Sequence, residues 1–292
     1  MVVGALGRAE SQVMTRLLLL APRINETGLQ LLTAARRRGL RAHTARGWSV
    51  PEELTGLGPA HVYGGPLFAD AVGLELGLAA LDAPLDWLAG LPVELTHRQI
   101  SCTTLVEARR LRRPAFLKPP VDKLFPARIY PDGSGLPGPD ALDDDTPVLV
   151  SDPVAFVREY RLFVLDGAVH TASRYAVDGR LDIAPVTDAL VDVAPATDAP
   201  VAEDRHAPAA LAFARQVLAA TADGLPSAVV VDVGLLADGR WAVVEANPAW
   251  ASGGYACDPD LVLDVVLRAA GPADELRATD LPYCRALPAV WR

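Results

Sequence analysis

The chain has 292 residues, a formal net charge of −9, and 51% hydrophobic and 22% charged residues. That length buries a real core, as one large domain or two small ones. The acidic balance argues against nucleic-acid and anionic-membrane partners, which require a basic face, and no apolar run approaches a signal-peptide core or a membrane span.

Residues 1–13 are poorly patterned, and the fold is expected to begin near Met14. Thr15 to Ala21 reads as a buried strand, and Asn25 to Arg38 as a helix in which Leu29, Leu32 and Ala35 recur at helical spacing before Gly39. Short strands are predicted near Leu40 to Thr44 and His61 to Gly64, with a helix over Pro66 to Ala80. Strands alternating with helices imply a parallel sheet, so 14–95 is expected to form a Rossmann-like α/β domain. A helix over Thr103 to Leu111 and a strand at Ala115 to Lys118 follow, then a Pro/Gly/Asp-rich loop over 131–147. Val148 to Val154, Val157 to Leu165 and Ala168 to Val177 read as strands, turned at Asp166-Gly167 and Asp178-Gly179. Residues 182–204 have weak strand character. Ala207 to Ala222 reads as a helix, Ser227 to Leu236 and Arg240 to Ala246 as a hairpin turned at Asp238-Gly239, and Pro259 to Ala270 as the last helix. The final twenty residues are irregular. The cysteines, Cys102, Cys257 and Cys284, are odd in number and far apart, which suggests neither zinc nor disulfides and fits a reducing cytoplasm.

Two short segments carry the chemistry. Only two lysines occur, Lys118 and Lys123, five residues apart, against 25 arginines. Chance survival is one explanation. The other is a site that needs a compact ammonium rather than a planar fork, as a phosphate held by a point charge does. The second segment is the hairpin carrying Asp232 on one strand and Glu245 and Asn247 on the other. Glu245 and Asn247 are two apart and so share a face. Oxygen ligands converging there suit a hard cation such as Mg²⁺. Solvent-facing strand residues are the alternative, but the flanking valines look buried, and a buried acid needs a partner.

In order along the chain, Phe116-Leu117-Lys118-Pro119, Glu159-Tyr160-Arg161 and Asp232…Glu245-Ala246-Asn247-Pro248 resemble the lysine strand, a central strand and the metal signature of ATP-grasp enzymes, closest to a divergent clade with these motifs. The resemblance spans about 95–270. It implies a fold of two α+β subdomains enclosing the nucleotide: an ATP-grasp domain over 96–272, with a small lysine-bearing subdomain at about 103–150 and a metal-binding one at about 151–272, then a tail at 273–292. It assigns Arg98, Lys118, Lys123, Val148, Val150, Ser151 and Glu159 to nucleotide binding, with the strand Val148 to Ser151 as the hinge whose backbone reads the adenine. It assigns Asp232, Glu245 and Asn247 to Mg²⁺, with Mn²⁺ as an alternative ion. Arg98 stands where many relatives carry a second phosphate-contacting lysine.

Arg161 and Arg174 are expected to point inward together and to stabilise the transferring phosphoryl or hold a carboxylate. Structural salt bridges to Glu159 or Asp182 are the alternative. Lys123 would reach the phosphates or help to close the site. In the loop after Asn247, Ser252, Gly253 and Gly254 would hold an acyl phosphate, and Trp250 or Tyr255 would wall off the acceptor. His97 is the one histidine placed near the site. The function implied is an ATP-dependent carboxylate–amine ligase, acting through an acyl phosphate with release of ADP and phosphate. Its substrates would be small-molecule or peptide acids and amines, and the protein a monomer or homodimer. A kinase of the same fold and a non-catalytic nucleotide-binding regulator are the rivals.

Overall fold

The computed structural model describes residues 16–23, 25–56, 59–120, 122–186 and 204–288. Three strands, β1 (Leu17–Leu20), β2 (Arg41–Thr44) and β3 (Ala60–Tyr63), form a parallel sheet in the order β2-β1-β3. Helix α1 (Glu26–Arg37) is capped by the Asn25 side chain, which accepts from the Gly28 amide at 2.7 Å, satisfying a donor the first turn leaves free. The predicted helix over Pro66 to Ala80 is shorter: α2 spans Pro66–Val72, and β4 (Leu78–Ala80) pairs antiparallel with β14 (Ala270–Pro272). Gly77, at φ +58°, makes the turn between them.

After short helices α3 (Trp87–Gly90) and α4 (Val93–Thr96), a four-stranded antiparallel sheet runs β5-β8-β6-β7. It comprises β5 (Ile100–Thr104), β6 (Ala115–Lys118), β7 (Arg128–Tyr130) and β8 (Pro147–Ser151). β5 is absent from the sequence-based expectation, and the predicted helix there is reduced to α5 (Leu105–Ala108). The next sheet has five strands, β11-β10-β9-β12-β13: β9 (Phe156–Leu165), β10 (Ala168–Val177), β11 (Arg180–Pro185), β12 (Ala228–Leu236) and β13 (Trp241–Asn247). Both predicted turns joining β9 to β10 and β10 to β11 have consecutive positive φ values: Asp166 at 50° and Gly167 at 75°, Asp178 at 48° and Gly179 at 70°. Most of the weak strand region, 187–203, lies outside the described residues.

The two faces of the five-stranded sheet bury different partners. Leu162, Val164, Val229, Val231 and Val233 pack with α6 (Ala207–Ala220). Phe163, Ala228 and Val230 join α7 (Pro259–Ala269) and the N-terminal sheet in one core. α7 thereby fixes the parallel sheet against the face that carries the acids. All three cysteines are free. Among the described residues no helix is long and apolar enough to cross a membrane.

Candidate active site

Strand register decides which side chains meet. On β12 and β13, Asp232 pairs with Glu245 and Val230 with Asn247, while Asp232 also pairs with Arg161 of β9. Paired residues share a face, so Arg161, Asp232, Glu245 and Asn247 converge as the alternation implied. Asn247 Nδ2 donates to Glu245 Oε1 at 2.8 Å and to Asp232 Oδ2 at 3.4 Å. Arg161 forks onto Asp232, Nε to Oδ1 at 3.0 Å and Nη2 to Oδ2 at 2.6 Å. Lys118, the last residue of β6, arrives from the other sheet, and its ammonium pairs with Glu245 Oε2. Two cations and two carboxylates thus interleave at the meeting of the sheets.

Asp232 is fully buried, and burial pushes its carboxyl up against the pull of the Arg161 fork. Burial also opposes the Glu245 charge, but the Lys118 ammonium and Asn247 outweigh it and hold Glu245 below the usual carboxylate range. Glu159 lies on the same face, two residues before Arg161. Burial raises its pKa, and the charges of Asp232 and Glu245 add to that, against donation from the Tyr175 hydroxyl at 2.7 Å.

Sequence reasoning places Tyr255 at the acceptor and misses Tyr175. Tyr175 lies two residues beyond Ser173, which pairs with Arg161, and sits at a register shift between Arg174 and Ala176. Tyr175 stacks on Tyr255, with centroids 5.2 Å apart and planes at 10°. The Arg161 guanidinium lies 5.5 Å and 5.1 Å from the two rings, within cation–π range. Tyr255 holds φ +50°, a conformation costly for an aromatic residue.

Several expected site residues stand elsewhere. Arg174 pairs across the strand with Tyr160 rather than with a residue of the Arg161 face. Its guanidinium binds Asp182, the structural alternative, and Asp204 at 2.7 Å. Arg98 spends its donors on Thr96 O, Val243 O, Val244 O and Ser151 Oγ, and lies 5.5 Å over the Phe156 ring. It ties β13 to the end of β8, and burial lowers its pKa to about 10. Gly234 makes the room, since a Cβ there would meet Phe156 at 2.4 Å. In β8, Val150 is paired on both sides, with Ser101 of β5 and Leu117 of β6, and Val148 with Thr103 of β5. Lys123 is exposed on the loop after β6, outside the cluster.

The loop after Asn247 is also reassigned. Trp250 is wholly buried in the core and donates to Leu81 O at 2.9 Å, so it walls nothing. Ser252 Oγ donates to Pro248 O at 2.8 Å, and the Gly254 amide to Thr27 Oγ1 at 2.8 Å. Gly253 presents its carbonyl to Arg161 Nη1 at 3.3 Å. Of these three, Gly253 alone touches the charge cluster, as an acceptor and not as an anion donor. His97 meets Arg240 at an outer turn, 3.1 Å from its guanidinium.

Among the described residues no three His, Cys, Asp or Glu side chains group closely enough to hold a metal. The donors here are two carboxylates and one carboxamide, a set that suits Mg²⁺, which keeps waters and takes other ligands from phosphates.

A mixed fold with a lysine-bearing sheet facing an acid-bearing sheet is the arrangement of ATP-grasp proteins. The model of an ATP-grasp domain family, the second family of its clade, matches residues 95–265, and the chain belongs to that family. Among solved structures, the chain is similar to the ATP-grasp ligase PsnB complexed with minimal precursor, at 15% identity over 87% of this chain and 99% of that one, with a TM-score of 0.47. It is similar to a RimK domain protein ATP-grasp from Sphaerobacter thermophilus DSM 20745, at 19% identity over 87% and 100%, with a TM-score of 0.42. D-cycloserine synthetase DcsG is 17% identical over 86% and 98%, with a TM-score of 0.42. No curated protein matches the sequence.

Proposed function

We infer that the chain is an ATP-dependent carboxylate–amine ligase, which phosphorylates an acid and passes the acyl group to an amine. The observation that carries this reading is the interleaved cluster of Lys118, Glu245, Asn247, Asp232 and Arg161, within a family of ATP-grasp domains. Asp232, Glu245 and the Asn247 side-chain oxygen would hold Mg²⁺. The ion, when bound, neutralises phosphate charge during transfer.

The side chains define the remaining roles. Lys118, with 13% of its side chain exposed, can exchange Glu245 for a phosphate oxygen while keeping its ammonium in the cleft. Arg161 is held by Asp232, by Gly253 O and by two tyrosine rings, so it offers a fixed positive charge where the acid's developing charge needs stabilisation. Its burial among aromatic rings strengthens that field. Glu159, with its raised pKa, stands two residues away and can orient Tyr175. Peptides and small molecules remain the substrate classes, and the cytoplasm the compartment.

The test is nucleotide turnover with pooled amino acids and short peptides, with hydroxylamine added. ADP, phosphate and a trapped hydroxamate are expected. AMP and pyrophosphate would overturn the acyl-phosphate route, because they mark an adenylate.

A further inference from the structure

Outside the charge cluster, one arginine gathers three aspartates from three separate segments. Arg285 donates from Nε and Nη2 to the two oxygens of Asp70 at 2.9 and 3.0 Å. Its Nη1 reaches Asp82 Oδ2 at 3.3 Å. Its Nη1 and Nη2 reach Asp122 Oδ1 and Oδ2 at 3.4 and 3.2 Å. Only 14% of the Arg285 side chain is exposed. Asp70 belongs to α2 and Asp82 follows β4. Asp122 lies on the loop that leaves β6, four residues after Lys118 and next to Lys123.

The arginine is not loosely placed. Its amide donates to Ala80 O at 2.8 Å, the Asp82 amide donates to Tyr283 O at 2.9 Å, and Leu81 and Cys284 form an isolated antiparallel bridge. The C-terminal segment is thereby stitched along the strand that ends at Ala80. Without the guanidinium, three carboxylates would face one another and repel, and the ion pairs that bind Asp122 to the N-terminal unit would be lost.

We propose that Arg285 is a positioning residue, which latches the loop after the lysine strand onto the N-terminal unit through Asp122. The latch holds β6 in the position where Lys118 meets Glu245 of β13. The C-terminal segment, remote in sequence, therefore sets how the lysine-bearing sheet closes. An arginine is needed because the guanidinium's five N–H donors match the five contacts to Asp70, Asp82 and Asp122, where an ammonium has three.

The chain provides its own reporter. It has two lysines, and Lys118 is followed by Pro119, so an endoproteinase specific for lysine cuts readily only between Lys123 and Leu124. That bond lies one residue from the latch. Cleavage of the whole folded protein, scaled to cleavage of the same chain in urea, measures how often the loop opens. Arg285→Ala is expected to raise the scaled rate about tenfold or more, with Arg285→Lys in between. Asp122→Asn, which leaves the Asp70 and Asp82 contacts in place, should raise it comparably. The double variant should be no faster than the faster single one, since both remove one interaction. If Arg285→Ala does not fold, Asp122→Asn alone decides.

A scaled rate for Asp122→Asn within about twofold of the parent overturns the proposal, whether or not Arg285→Ala is cut faster, because the tail would then act without the loop. A consequence that rests on the ligase reading is weaker Mg·ADP binding by both variants, seen by calorimetry. The cleavage assay uses no nucleotide, so loss of the latch and loss of that reading give separate results.

Discussion

Arg161 and Arg174 stand on adjacent antiparallel strands, and each neutralises buried acid, yet they face opposite sides of the sheet. Arg161 gives a full fork to one wholly buried carboxylate and lies against two aromatic rings. Arg174 divides its fork between Asp182, which is 49% exposed at the side chain, and Asp204. Tyr160 also donates to Asp204, at 2.8 Å. The first arrangement concentrates charge beside the cleft. The second pins β11 and the start of α6 to the outer face of β10. Equal chemistry on two faces thus does two jobs, and the neighbouring acids reveal which.

The comparison breaks most sharply at turnover. Arg161→Ala should cut kcat by about a thousandfold or more, the scale for removing a fixed charge that stabilises the transition state, and Arg161→Lys should recover little of it. Glu245→Gln should have a similar effect on kcat and should also weaken Mg·ADP binding measured by calorimetry. Arg174→Ala should leave kcat within about threefold while lowering stability by roughly 1–2 kcal/mol in urea titrations, as loss of partly exposed charged hydrogen bonds does. If Arg174→Ala abolishes turnover in a folded protein, the division between the faces is wrong.

A milder separation concerns Lys118, the other cation on the Arg161 face. Lys118→Ala should weaken Mg·ADP binding by about tenfold to a hundredfold, one to two powers of ten for a charge-assisted contact. Lys118→Arg should restore less than half of that free energy, because the fork cannot occupy the space of a point charge at the end of β6. Full rescue by arginine would show that charge alone is required and that the scarcity of lysine carried no information.

The contrast also marks what is legible in the sequence. The Asp232, Glu245, Asn247 face follows from counting by two, because Val230 to Asp232 pair regularly with Asn247 to Glu245 and the β12–β13 register shifts only after Asp232. The same counting fails for Arg174, because a register shift in β10 between Val169 and Thr171 moves it opposite Tyr160, and no local residue type announces that shift. Trp250 reads as a wall since loop residues near a site are usually accessible, but its indole fills the core beneath the parallel sheet. Arg98 reads as a ligand for phosphate by its position in the motif order. Its partners in the structure include backbone carbonyls of β13, some 145 residues away, which no spacing rule connects. β5 escapes notice because Ile100-Ser101-Cys102-Thr103-Thr104 lacks an apolar alternation and forms a strand by pairing with β8. The order of elements and the acid-bearing face are local properties. The partners of the arginines are tertiary ones.

The smallest effect tests the principle behind the comparison, that a buried aspartate is stable only when a fork serves it. Asp82 lacks one: Arg285 reaches its Oδ2 with a single arm at 3.3 Å, and its Oδ1 is buried without a partner. Burial raises its pKa to about 6, with Asp122 and Asp70 adding to the rise and Arg285 opposing it. A folded-state pKa above the unfolded value of about 3.9 means that the folded protein holds a proton the unfolded chain has released between those values. Stability from this group is therefore greatest at low pH and falls as pH climbs towards 6, remaining low above it. Asp82→Asn removes the titration while keeping the shape and the acceptor for Arg285. The thermal midpoint of the variant relative to the parent should accordingly rise between pH 4.5 and pH 7.5, by an amount on the order of 1–2 kcal/mol at the midpoint. A relative midpoint that is flat or falls over that range would show that Arg285 serves Asp82 as fully as Arg161 serves Asp232.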